Sequence, residues 1–178
     1  MYFPKINLYN LRDYIKMETY CGVNNEITKI IDGVYLGSKK DVENKETIEK
    51  YEIKNVISIS DWDEKIIFDK PNVLYINVTT NGNIYQYFGK CFYFIERSLE
   101  KKQNILIHCK NGVHRSPTII ASYLMRKFSL KKTPVLDFIF DRRNIIDIPI
   151  CFDSQLNKLE KKISFRCSFK SIDYLSYL

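Results

Sequence analysis

The stretch from Asn104 to Lys127 constrains this chain most. Asn104–His108 (NILIH) is a short, continuously apolar run of the kind that forms a strand buried on both faces. A polar, glycine-containing loop follows. From Arg115 to Lys127, Ile119, Ile120, Tyr123 and Leu124 then repeat on one helical face. Strand, loop and helix in that order need a parallel neighbour for the strand and a sheet face for the helix to cover.

The rest of the chain supplies those neighbours. Ile30–Gly37 (IIDGVYLG) predicts a turn at Asp32-Gly33 and a short strand, Lys54–Ser60 a β-branched strand, and Val73–Val78 another. Asp41–Tyr51 predicts a charged surface helix, and Ile84–Lys101 a buried amphipathic one. Thr133 as N-cap and Pro134 at the first position predict a helix running to about Arg143, with a last helix from about Asp153 to Lys162. The fold class is therefore α/β: a single domain with a central, mainly parallel sheet of about five strands flanked by helices. Leu8, Leu11, Tyr14 and Ile15 give residues 1–26 the pattern of an amphipathic helical arm. The folded domain is set at 27–164 and a tail at 165–178. The arm suits docking on its own domain or in a homodimer.

Composition excludes little but redirects the search. The formal charge is +7, which would suit nucleic acid, acidic membrane or a phosphorylated substrate. Yet lysines outnumber arginines about three to one, whereas phosphate surfaces lean on Arg. Drift in an AT-rich genome explains much of that charge. The five cysteines, Cys21, Cys91, Cys109, Cys151 and Cys167, form no C-x-x-C pair, so neither a zinc site nor a redox pair is expected. Free thiols indicate a reducing, cytoplasmic setting. No apolar run has membrane length and no signal-peptide pattern opens the chain. The two histidines, His108 and His114, flank one cysteine.

That cysteine carries the chemistry. Cys109 ends a predicted buried strand, and open α/β sheets bind ligands at that edge. Lys110, Asn111, Gly112, Val113 and His114 form a loop whose successive N–H groups, with the following helix N-terminus, make an anion cradle. Gly112 permits the tight backbone approach. Arg115 can fork onto two oxygens of a bound dianion. The same positive field should depress the Cys109 pKa, and Ser116 can hydrogen-bond the thiolate or the leaving sulfur.

The pattern His108-Cys109-x5-Arg115-Ser116 resembles the signature loop of the cysteine-dependent phosphatases, and within them the dual-specificity protein phosphatases. Gly33–Ser38 (GVYLGS), Val56–Ile59 and Tyr123–Met125 resemble other stretches of that family. So does the closing pattern of Arg143, Ile146, Pro149, Phe152, Gln155 and Leu156. The likeness covers about Ile27 to Leu159, and spacing and arm length look most like the small phosphatases encoded by poxviruses. It implies a phosphocysteine intermediate on Cys109 that water hydrolyses, with no metal or cofactor. Arg115 and the amides from Lys110 to Arg115 would stabilise the equatorial oxygens. His108 would orient the backbone and tune the thiolate without touching substrate. The implied partners are phosphorylated proteins, viral or host, and no membrane; host cytoplasm or virion would be the setting for a viral source.

One element of the resemblance fails. The family's general acid is an aspartate in the segment after the strand here read as Val73–Val78. Anchoring on that strand places Thr80 there, and anchoring on the next helix places Val78. Between Val73 and Arg97 the only Asp or Glu is Glu96. Asp61 and Asp63, after the preceding strand, and Asp147, before Pro149, are candidate substitutes. Without a substitute the chain would be a slow enzyme favouring phosphotyrosine, an RNA 5′-triphosphatase, or a phosphate-binding pseudophosphatase. The basic Lys110 and His114 also suit phosphoinositides. The cluster Phe88, Phe92, Tyr93 and Phe94 is expected in the core. Lys101-Lys102 and Lys131-Lys132 are expected as solvated helix ends.

Overall fold

The computed structural model describes residues 27–61 and 71–172, with side chains described through residue 164. The expected N-terminal arm, Trp62, Asp63 and the end of the tail at 173–178 lie outside the described residues. Strand β5 (Asn104–Cys109) is the centre of a five-stranded sheet of order β1-β2-β5-β3-β4. Its neighbours β2 (Val34–Ser38) and β3 (Ile53–Ser60) both run parallel to it, and β3 pairs in parallel with β4 (Asn72–Asn77). Only β1 (Thr28–Ile31) is antiparallel, as the outer arm of a hairpin turned at Asp32-Gly33. The mainly parallel five-stranded sheet is the one expected.

Alternation along β5 divides two unequal cores. Ile105, Ile107 and Cys109 join Val34, Leu36, Ile57 and Ile59 in the larger cluster. Helices α3 (Phe88–Glu100), α4 (Arg115–Phe128), α5 (Lys132–Phe140) and α6 (Ile150–Ile172) contribute to that cluster. Leu106 joins Tyr35, Val42, Ile53 and Val56 in a smaller cluster on the opposite face, beside α1 (Lys39–Glu43) and α2 (Lys45–Lys50). A strand buried on both faces cannot alternate polar with apolar, so the continuous NILI run is what this position demands.

Several element boundaries differ from expectation for local reasons. The expected helix over Asp41–Tyr51 is two helices, broken at Asn44, whose Oδ1 accepts from Glu46 N (2.9 Å) and Thr47 N (3.4 Å). Side-chain capping competes with helix continuation at such residues. A 3₁₀ turn, Tyr85–Tyr87, precedes α3. Thr133 is not a cap: α5 begins at Lys132, two residues before the expected start, behind Lys131, and Pro134 still falls in the first turn. The last helix runs from Ile150 to Ile172, longer at both ends than the expected 153–162 and past residue 164, where the domain was set to end. Tyr93 is 65% exposed instead of buried, with Arg126 stacked 5.2 Å from its ring centroid. Lys132 is no solvated end: it ion-pairs with Asp153, and its backbone N donates to Glu160 Oε1 (2.7 Å), tying α5 to α6. Among the described residues, no helix is long and apolar enough to cross a membrane.

Candidate active site

The loop from Cys109 to Arg115 lies at the carboxyl end of β5 and runs into α4. Its carbonyls are turned outward by partners, three of them from distant parts of the chain. Lys110 O accepts from Lys39 N (3.1 Å), Gly112 O from Arg143 Nε (3.2 Å) and Val113 O from Asp147 N (3.0 Å). His114 O accepts from Thr118 N (3.3 Å) and Thr118 Oγ1 (2.7 Å). The peptides are trans, so each C=O points opposite to the N–H of the next residue. Holding those four carbonyls outward turns the amides of Asn111, Val113, His114 and Arg115 inward. That is an anion-binding concavity built before any anion arrives. Gly112 allows it: its φ is +68°, and a Cβ there would lie 2.7 Å from Gly37 O.

Cys109 is 3% exposed at the base of this loop. Ser116 Oγ donates to its Sγ at 3.2 Å. Burial is the largest single influence on the thiol and pushes its pKa up. The Ser116 hydroxyl and amide, the Arg115 charge and the Gly112 amide together outweigh burial, and the net shift is downward. A thiolate is the nucleophilic form, so the expected activation of Cys109 has a structural basis.

Arg115 is 4% exposed. Its Nη1 ion-pairs with Asp61 and donates to Val78 O at 3.1 Å. Asp61 follows β3, the strand next to β5, so the expectation that it lies at the active edge holds. Its link to Arg115 was not visible in the sequence, because the partners are 54 residues apart.

The segment where the resemblance expects an acid is well ordered by its contacts and carries no carboxylate. Val78 is 4% exposed and packs in the larger core. Thr80 faces solvent, with its carbonyl 3.4 Å from Cys151 Sγ. Gln155 fixes the far end, accepting from Tyr85 N (2.7 Å) and donating to Gly82 O (3.1 Å). Glu96, the one acid in that stretch of sequence, is committed elsewhere. It accepts from Tyr123 OH (2.7 Å) and Lys127 Nζ (2.6 Å) between α3 and α4.

Asp147 meets the loop through its backbone. Besides the Val113 contact, its carbonyl accepts from His114 Nδ1, which fixes the His114 proton on that nitrogen. Its carboxylate is 4.0 Å from Nδ1 and faces water. Lys110 and Asn111 are exposed on the rim.

His108 lies on the opposite face from Cys109, in register with Gly37 on β2 and Ser58 on β3. Burial drives its pKa down to about 4, only partly opposed by the Cys109 backbone, and the Arg115 and Lys39 charges act in the same direction as burial. The ring is therefore neutral at neutral pH. Neither ring nitrogen has a hydrogen bond of normal geometry among the described residues. The structure thus places His108 on the face of β5 away from Cys109. Among the described residues, no group of three or more His, Cys, Asp or Glu side chains is arranged to hold a metal ion.

Comparison with known proteins agrees with this geometry. Residues 34–162 match the family described as the dual specificity phosphatase catalytic domain. A probable dual specificity protein phosphatase of Dictyostelium discoideum is 33% identical over 147 residues, covering 76% of this chain and 34% of that protein. The Dictyostelium MAP kinase phosphatase with leucine-rich repeats protein 1 is 34% identical over 137 residues, covering 76% and 16% respectively. The chain thus spans 34% and 16% of the length of these two relatives. The crystal structure of DUSP15 superposes with a TM-score of 0.70 at 27% identity, over 80% of this chain and 97% of that one.

Proposed function

Since the chain belongs to the dual specificity phosphatase family, we propose that it hydrolyses phosphate monoesters on proteins, phosphotyrosine first, with Cys109 as nucleophile and Arg115 as phosphate clamp. The observation that carries the proposal is the pairing of a pKa-lowered Cys109 with a loop whose carbonyls at 110, 112, 113 and 114 all face away from it.

The steps follow from that geometry. The thiolate attacks phosphorus, an S–P bond forms, and the bond to the leaving oxygen breaks. The inward amides and Arg115 stabilise the charge on the equatorial oxygens. Water then attacks the phosphocysteine. The S–P bond breaks, inorganic phosphate leaves, and its sulfur departs as a thiolate accepting from Ser116 Oγ.

The missing carboxylate sets the substrate order. A positioned general acid supplies about 10²–10⁴ in rate. A phenolate, from a phenol of pKa about 10, leaves without protonation far more readily than a Ser or Thr alkoxide. Aryl phosphates are therefore the favoured class.

Steady-state hydrolysis of an aryl phosphate, a phosphotyrosine peptide and a phosphoserine peptide by wild type and Cys109→Ser tests the proposal. Wild type should turn over the first two and Cys109→Ser none. Activity surviving in Cys109→Ser overturns the mechanism. Phosphate release from triphosphate-ended RNA without turnover of phosphotyrosine overturns the substrate assignment. Phosphopeptide binding without turnover of any substrate makes the chain a binding module.

A further inference from the structure

Arg143 stands outside the Cys109–Ser116 motif yet is built into its back. It lies just beyond α5 and donates through Nε to Gly112 O (3.2 Å) and through Nη1 to Thr28 Oγ1 on β1 (3.0 Å). Its Nη2 would be 2.9 Å from a Cβ at position 112. Three of the four outward carbonyls have a backbone N–H among their partners; Gly112 O has this side chain. No carboxylate lies within ion-pair distance of Arg143 among the described residues. Asp41, whose charge attracts it, is held by Ser38 in a capping box, accepting from Ser38 N (2.6 Å) and Oγ (2.7 Å).

We propose that Arg143 is a positioning residue of this site: its guanidinium holds Gly112 O outward so that the Val113 amide faces the bound phosphate, and its unpaired charge stabilises anions in the loop from behind. Two observations support the assignment independently. The first is directional. A trans peptide couples Gly112 O to Val113 N–H, so an outward hold on one is an inward hold on the other. The second is electrostatic. A guanidinium cannot shed its charge; burial here disfavours that charge, and Asp41, which forms no ion pair with it, offsets burial only in part. An anion in the loop, whether thiolate or phosphate, offsets it.

The charged and titratable groups around Cys109 come from every neighbouring element. Arg115 is on α4, Asp61 follows β3, Lys39 and Asp41 are on α1, and His108 precedes the cysteine on β5. Arg143 enters from the loop after α5. Of these, Asp61 is engaged by Arg115, Asp41 by Ser38, and His108 is neutral. Arg115 and Arg143 are the guanidinium groups at the loop; Lys110, within it, points to solvent.

This inference rests on the proposed phosphatase site, and its test separates the two. The pH dependence of Cys109 alkylation by neutral iodoacetamide, read by peptide mass spectrometry, reports the thiolate without any substrate. Inorganic phosphate binding in a Cys109→Ser background reports the loop without any chemistry. Arg143→Met should raise the alkylation midpoint by about one pH unit and weaken phosphate binding about tenfold. Arg143→Lys keeps the charge but not the fork. It should keep the midpoint near wild type and still lose phosphate affinity. A folded Arg143→Met with both quantities unchanged overturns the proposal. Should Arg143→Met fail to fold, an Arg143→Lys variant that binds phosphate as tightly as the parent overturns it instead. An ordinary thiol midpoint near about 8.5 in the wild type, with no phosphate binding, overturns the phosphatase site itself.

Discussion

Arg115 is nearly buried, yet the carboxylate that holds it, on Asp61, is more than half exposed. Its Nη1 is thus anchored both by Val78 O in the interior and by a carboxylate in contact with water. In the proposed site, a phosphate entering the loop would meet an arginine already oriented through Nη1. This arrangement makes Asp61 a residue that positions Arg115.

Asp61→Asn should lower kcat/KM for aryl phosphates about fivefold, the scale of a solvent-facing ion pair. The factor should be the same for leaving groups of different pKa, measured with a series of substituted phenyl phosphates. A loss that grows with leaving-group pKa would instead make Asp61 the proton donor.

Thr80→Asp should restore a carboxylate where the chain lacks one. Of the two positions the resemblance allows, Val78 is in the core and Thr80 is exposed, so only Thr80 can present an acid to the site mouth. The gain should be at least about tenfold for a phosphoserine peptide and smaller for an aryl phosphate. An equal gain for both would show that the new carboxylate acts only through charge.

Ser116→Ala removes the hydroxyl 3.2 Å from Cys109 Sγ. The Cys109 pKa is held down in part by that hydroxyl, so the thiolate persists to lower pH in the wild type. Without it the acid limb of kcat/KM moves to higher pH by about one unit. The departing thiolate is also less stabilised, so rapid-mixing experiments should show phosphoenzyme accumulating.

Gly112→Ala forces a side chain into the left-handed region and within 2.7 Å of Gly37 O. The strain alone costs on the order of 1–2 kcal/mol. Thermal unfolding should shift downward, and phosphate binding by calorimetry should fall by more than tenfold as the loop opens. Retained affinity would mean the loop tolerates a different path.

His108 predicts an acid-sensitive stability. Its pKa is lowered to about 4 in the native state, against about 6.5 when unfolded. Between those values the unfolded chain binds a proton that the native chain does not, so stability falls as pH drops through this window. The slope is at most about 1.4 kcal/mol per pH unit. Urea titrations from pH 7 to 4 should show it, and His108→Asn should flatten it.

The sheet was legible because a strand buried on both faces must be apolar where it is buried, and Ile105-Leu106-Ile107 is such a run. The reacting residues were legible because cysteine, loop, arginine and serine are contiguous. What escaped was how residues from elsewhere reach the loop. Asp61 is 54 residues from Arg115, and Arg143 is 31 from Gly112. Neither distance leaves a local pattern, although Arg143 had appeared in the closing stretch that resembles the family. The break at Asn44 and the start of α5 were missed for a different reason. There, capping and packing decide between helical continuations that propensity leaves nearly equal.

The mix of partners behind the outward carbonyls also says which positions are open to inheritance with change. Lys110 O and Val113 O are gripped by the main-chain nitrogens of Lys39 and Asp147. Almost any side chain could stand at 39 or 147 without releasing them, proline excepted. At His114 O, the Thr118 hydroxyl duplicates a main-chain grip. Gly112 O has no such tolerance, because its restraint is written in the identity of Arg143. Substitution can therefore change the rim side chains and still leave these three restraints in place, whereas the restraint on Gly112 O depends on that one distant arginine.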